Sequence, residues 1–176
     1  NLINLIGGIH AWSIAVDSCN GESVRKAIKI AIDDEAANID TIPITTTIDS
    51  IGAFEVPDIT RSSPRQDIEL KTFTVSGKIH KISDHRDGDY KVKLISDNEK
   101  YLNCEFPNPG CEALDSSYFL TQIIEARTFV EMHLDSLVGK SVTITGVGFI
   151  DIDHKYPRNS ADNEMELHPV LAIDFD

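Results

Sequence analysis

The stretch Glu166-Leu167-His168-Pro169-Val170-Leu171-Ala172-Ile173-Asp174-Phe175 decides the fold. Alternation places Leu167, Leu171, Ile173 and Phe175 on an inward face and turns Glu166, His168 and Asp174 the other way. Read so, it is a strand with one buried side, and it needs neighbours. Upstream, Ser141–Ile150 is a β-branched run with glycines at 146 and 148, as expected where a strand bends around a barrel corner. Further upstream, Phe73, Val75, Gly77 and Ile79 alternate with polar residues, as do Tyr90, Val92 and Leu94, and Tyr101–Phe106 forms another run stopped by Pro107 and Pro109. Asp87-Gly88 marks the hairpin between the first two of these.

Between the third and fourth strands, Phe119, Ile123, Ala126, Val130 and Leu134 form one stripe at helical spacing within 117–134. Arg127 lies off that stripe, placed to pair with Glu131 one turn on. Three strands, a helix and two strands is the order of a five-stranded OB-like barrel. The expected fold is therefore mainly β. Residues 71–176 form the barrel domain, and residues 1–70 form an extended, irregular N-terminal arm and linker. Within the arm, Val24–Ile32 fits neither period cleanly, its apolar residues at 24, 27, 28 and 31 suiting a helix and those at 28, 30 and 32 a strand, and Asp33–Ala37 suits one helical turn. Thr45-Thr46-Thr47 before Ile48-Asp49-Ser50-Ile51 reads as a capped turn or short helix. Pro57 and Pro64 flank a linker.

Composition narrows the function. The formal net charge is −13. Residues 1–70 hold 5 Lys+Arg against 11 Asp+Glu, and residues 71–176 hold 11 against 18, so neither part offers the basic stripe that neutralises phosphates. Nucleic acid is therefore not an expected partner. No stretch is long and apolar enough to span a bilayer as a helix. The apolar run Asn1–Ala15 reads as a strand or arm that packs on this domain or a neighbour, or else as the apolar region of a signal peptide with Ser13-Ile14-Ala15 as a small-residue cleavage site; on the first reading residues 1–18 are a candidate homo-oligomer contact. An acidic surface suits an extracellular or cell-surface setting. Of the three cysteines, Cys104 faces the core beside Leu102 and Phe106, and Cys19 with Cys111 is a candidate bridge.

Several constellations carry candidate chemistry. Asp151, Asp153 and His154 after the fourth strand, with Glu166 and His168 on the fifth, offer carboxylates and imidazoles to a divalent cation. The alternative is a hydrogen-bonded network locking the loop, with Asn163 capping its turn. Asp84, Asp87 and Asp89 surround Gly88 in a turn suited either to calcium or to a plain solvated hairpin. Arg127 over Glu105 reads as a structural ion pair or a clamp for a ligand carboxylate. The metal candidates are thus Asp87, Asp89, Asp151 and His154. The ligand-binding candidates are Glu105, Arg127, Asn163, Glu166 and His168.

Asp87-Gly88-Asp89-Tyr90, Glu105-Phe106-Pro107-Asn108-Pro109-Gly110-Cys111, Glu125-Ala126-Arg127, Thr145–His154 and Asn163–Val170 follow one another in an order that resembles a family of uncharacterised, usually secreted bacterial proteins. The likeness covers roughly residues 24–176, and Lys91 departs from it where the pattern often has His. It implies an OB-like fold and brings no established activity. A more distant similarity is to staphylococcal-nuclease-like domains, whose calcium Asp would match Asp89. Leu102, Asn103 and Cys104 stand where the phosphate-clamping arginine is needed. The expected function is a secreted, non-catalytic binding or structural module. The alternative is a metal-dependent hydrolase with its site near the last strand, using a cation such as calcium.

Overall fold

The computed structural model describes residues 23–85, 87–152 and 160–176. β2 (Lys71–Asp84) is the long stave of the barrel. Its residues 78–84 pair antiparallel with β3 (Tyr90–Ile95), and its residues 72–78 pair antiparallel with β5 (Ser141–Ile150). β3 pairs with β4 (Tyr101–Phe106), and β6 (Met165–Phe175) lies between β4 and β5. The order β2-β3-β4-β6-β5, with β5 returning to β2, closes a five-stranded OB-like barrel. α3 (Leu120–His133) sits between β4 and β5 in the chain. Among the described residues, no helix is long and apolar enough to cross a membrane.

The interior is filled by Phe73, Val75, Ile79, Val92, Leu94, Leu102, Cys104, Phe106, Ile144, Leu167 and Val170, with Ala126 and Val130 of α3 against them. Alternation places each of these residues on β2 to β5 where the sequence leads one to expect it. β6 departs. Thr145 pairs with Ala172, Gly146 with Val170 and Gly148 with Leu167, so β6 carries extra residues at two points. Each extra residue inverts the alternation beyond it. The inward residues are therefore Leu167, Val170 and Ile173; Leu171 is half-buried in a second cluster, and Phe175 is exposed against Phe129 and His133. Glu166 and His168 do lie on the outer face, but they are as buried as the core.

They are buried because residues 23–70 are not simply an arm. Ser23 caps α1 (Val24–Lys29), whose Arg25 and Ile28 are buried. The chain leaves α1 through Ala31, at φ 54, and runs through a 3-10 turn at Ala36–Asn38 into β1 (Asp40–Thr46), which adds parallel to the start of β2. Thr47 accepts the Ser50 amide at 3.1 Å and caps α2 (Ile48–Gly52). Residues 53–66 hold no helix or strand, and a 3-10 turn at Asp67–Leu70 feeds β2. Ala31, Ala36 and Ile39 meet Val147, Cys111, Leu114, Phe119 and Ile123 in the second cluster, outside the barrel wall.

Candidate functional site

β3, β4 and β6 present one row of polar residues on the outer face. Lys91 pairs across strands with Glu105, and Asn103 pairs with Glu166, so Glu105 falls beside His168 two residues further along both parallel strands. α1 lies over this row and lowers Lys29 into it. Glu105 is 1% exposed, Glu166 1% and His168 0%. Lys29 Nζ is 2.7 Å from Glu105 Oε2, and Lys91 also contacts Glu105. His168 Nδ1 stands 3.1 Å from Glu105 Oε2 and 3.7 Å from Glu166 Oε1, and Nε2 is 3.8 Å from Asp89 Oδ2. Asp89 enters from the loop before β3, where its Oδ1 accepts the Asn108 amide at 2.7 Å. Arg25 stacks over Phe149, and the Phe149 ring in turn neighbours His168.

The charges hold one another in place. Burial opposes the Lys29 ammonium, but Glu105, Glu166 and Asp89 outweigh it, so Lys29 keeps its proton more firmly than a free lysine. Burial opposes the Lys91 charge as well and is overcome by Glu166 and Glu105. Glu105 is opposed by burial too, yet Lys29, His168 and Lys91 hold it well below the usual carboxylate range. Glu166 has no such surplus of cations; burial and then the Glu105 charge push it up. Burial lifts Asp89 to about 6. For His168, burial and Lys29 favour the neutral ring, and Glu105 with Glu166 override them, so its pKa is raised.

The remaining candidates separate from this cluster. Arg127 does not reach Glu105. It pairs with Glu131 at 2.8 Å, donates to the Gly88 and Phe106 carbonyls and stacks on Tyr90, so it pins the hairpin to α3. Glu105 instead takes its cations from α1 and β3. Asn163 donates to the Ile51 and Phe54 carbonyls and accepts the Met165 amide, which ties α2 to the start of β6. Asp84 is exposed, Asp87 accepts the Asp89 amide at 3.3 Å, and Asp89 is buried toward His168, so the three acids do not converge on one point. Asp151 is half-buried at the end of β5, and its carboxylate accepts the Ile152 amide. Asp153, His154, Cys19 and residues 1–18 lie outside the described residues. Cys104 and Cys111 are buried free thiols.

Sequence reasoning missed Lys29 and did not assign Lys91 a role. Lys91 was legible in principle, because it shares the parity of Lys93 and of Asp89, all opposite Val92. It also missed the Arg25–Glu69 pair, both buried, in which Glu69 further accepts the Ile150 and Gln66 amides.

Beside the cluster, a cleft of about 600 Å³ runs between α1 and the barrel mouth. Arg25 and Lys29 line one side; Asp89, Asn108, Phe149 and Asp151 line the other.

No protein-family model matches the chain, and no curated protein does. Solved structures resemble it distantly. Entamoeba histolytica asparaginyl-tRNA synthetase aligns at 16% identity over 77% of this chain and 23% of its own, with a TM-score of 0.46. A chain of the S. pombe Stn1–Ten1 complex aligns at 12% identity over 60% of this chain and 57% of its own, with a TM-score of 0.37. The chain thus spans less than two thirds of each, and the barrel assignment rests on its own strand order and closure.

Proposed function

We propose that the chain is a secreted, non-catalytic binding module that takes a small ligand in the cleft between α1 and the barrel. The position of the cleft carries this reading. OB barrels engage ligands on the face of their second and third strands and on the loops joining strands one to two and four to five. Here those are β3 and β4, the Asp87–Asp89 loop, and the segment that begins at Asp151 and Ile152, and all but the strand faces themselves contribute lining residues. The walls mix Phe149, Ile30 and Leu114 with Lys26, Arg61 and three aspartates, which suits a ligand with an apolar body and charged ends.

Burial supports a role without catalysis. The His168 ring is the strongest acid–base candidate, yet it has no exposed surface, and a general base must come within hydrogen-bond reach of its proton. Secretion is supported by the resemblance to a usually secreted family and by the acidic charge. The same net charge of −13 argues against a polynucleotide ligand, since few phosphate counterions would be released. Assembly through residues 1–18 belongs to the same proposal.

Chemical-shift mapping tests the reading. Titration with a panel of small carboxylates and zwitterions is expected to move the amides of Asn108, Phe149 and Ile152 together. Shifts that cluster on any other face, or tight binding of a single-stranded oligonucleotide, would sink it. Light scattering on the chain lacking residues 1–18 tests assembly separately; an unchanged oligomeric state removes that part.

A further inference from the structure

Asp89, Glu105 and His168 come from a loop and two different strands, and each brings a ligand atom within 4.8 Å of the others. Two features distinguish this group from an ordinary charge cluster. Both ring nitrogens of His168 are fully buried and make no hydrogen bond. Native buried nitrogens rarely stay so, and such an orphan calls for a partner. The second feature is spacing. Nε2 is 3.8 Å from Asp89 Oδ2, too long for a hydrogen bond. Two atoms that each lie about 2.1 Å from one zinc-like ion stand at most about 4.2 Å apart, so that gap accommodates an ion between them.

Glu105 completes the pattern from the other side of the ring. Its Oε2 stands 3.1 Å from Nδ1 without an aligned hydrogen bond, within reach of the position from which a carboxylate in metal sites holds the second imidazole nitrogen and aims the first at the ion. Lys29 and Lys91 already contact Glu105, which keeps it in this orienting role.

We propose that Asp89 Oδ2 and His168 Nε2 hold a divalent transition-metal ion, that Glu105 orients the imidazole, and that the remaining coordination positions are taken by water from the cleft. An imidazole ligand selects the zinc and cobalt class over calcium and magnesium. Holding Asp89 and His168 together, the ion ties the loop before β3 to β6. The inference does not depend on the cleft taking an organic ligand.

The test uses the full chain, freed of metal by chelation and titrated near neutral pH with cobalt(II). Calorimetry and the visible cobalt spectrum report binding. One ion per chain is expected, displaced by zinc and not by millimolar calcium. Asp89→Asn keeps an oxygen for the Asn108 amide, so its circular dichroism should match the wild type while cobalt affinity falls at least about tenfold; Glu105→Gln should weaken it by about 10- to 100-fold. Asp162→Asn, on an exposed side chain, should change nothing. No binding at millimolar cobalt by a chain with native circular dichroism overturns the proposal. So does undiminished binding by Asp89→Asn, or an intense thiolate band placing the metal on a cysteine such as Cys111.

Discussion

Glu69 is the residue on which the N-terminal segment turns. Fully buried, it accepts from Arg25 of α1, from the Gln66 amide and from the Ile150 amide at the end of β5. Glu69→Ala would leave the Arg25 guanidinium buried without its counter-charge, at a cost of about 3–5 kcal/mol. Urea denaturation should show this as a lower midpoint at unchanged slope. The double variant Arg25→Met with Glu69→Met should recover only part of the loss, because it removes the unpaired buried charge but leaves the Ile150 amide and carbonyl without their partners. Asp33 supplies a pH-dependent counterpart. Burial opposes its charge, but the hydrogen bonds and charge of Arg65 outweigh that and lower its pKa. A carboxyl depressed in the folded state stabilises above its unfolded pKa and loses that contribution as pH falls through the folded value. The stability gap between wild type and Asp33→Asn is therefore expected at neutral pH and should close below the ordinary value of 3.8. A constant gap across urea titrations from neutral to acid pH would contradict this.

Among the elements, β5 is packed against backbone at its glycines. A Cβ on Gly148 would lie 2.8 Å from the Ile68 carbonyl oxygen and 2.9 Å from the Phe73 ring, so the backbone itself must move. Gly148→Ala should cost about 1–3 kcal/mol. At Gly77 the obstacle is the Ile48 Cδ1 tip, 2.7 Å away, which a rotamer change relieves, so Gly77→Ala should lower the thermal midpoint less than Gly148→Ala. The same elements show how far a sequence can be read. β2 to β5 were legible because one face of each is apolar at its own period; α3 was legible from Ile123, Ala126 and Val130, although Ile124, Met132 and Leu134 stand exposed and Arg127 is buried beside them. The far end of β6 was misread because two inserted residues invert its alternation, and neither leaves a mark in composition. β1 escaped notice because nearly all of it is exposed, Ile42 at 76%, so no alternation is written into it. The site was half legible: alternation put Glu105, Glu166 and His168 on a polar face. It could not show that α1 would lower Lys29 onto that face, since tertiary packing alone settled the ambiguous period of Val24–Ile32. Arg127 and Asn163 look like ligand-binding groups in sequence because their type is polar; in three dimensions Asn163 bonds to backbone groups, and Arg127 to backbone carbonyls and to Glu131.

For the whole molecule, two cores of unequal depth share one wall. The barrel interior is enclosed by five strands, whereas the outer cluster is closed by short pieces: α1, the 3-10 turns and the start of α3. Native-state hydrogen exchange should find the amides of Ala31 and Ile39 opening at a lower free energy than those of Val75 and Leu94. Equal protection at both would mean that the outer layer and the barrel unfold as one unit. If the outer layer opens first, it uncovers Glu105, Glu166 and His168 before the barrel itself is lost.

The position of β6 has a kinetic consequence. It is central in space, between β4 and β5, yet follows both in the chain. While Met165–Phe175 are still inside the ribosome, β4 and β5 each keep a bare edge, and Lys91 and Glu105 lack the His168 side of their network. Its parallel seam with β4 joins segments far apart in sequence through only the registered pairs Asn103–Glu166 and Cys104–Leu167. Such high contact order slows folding. During synthesis the chain therefore passes through an interval with two aggregation-prone edges, which ends only when one strand slots between them.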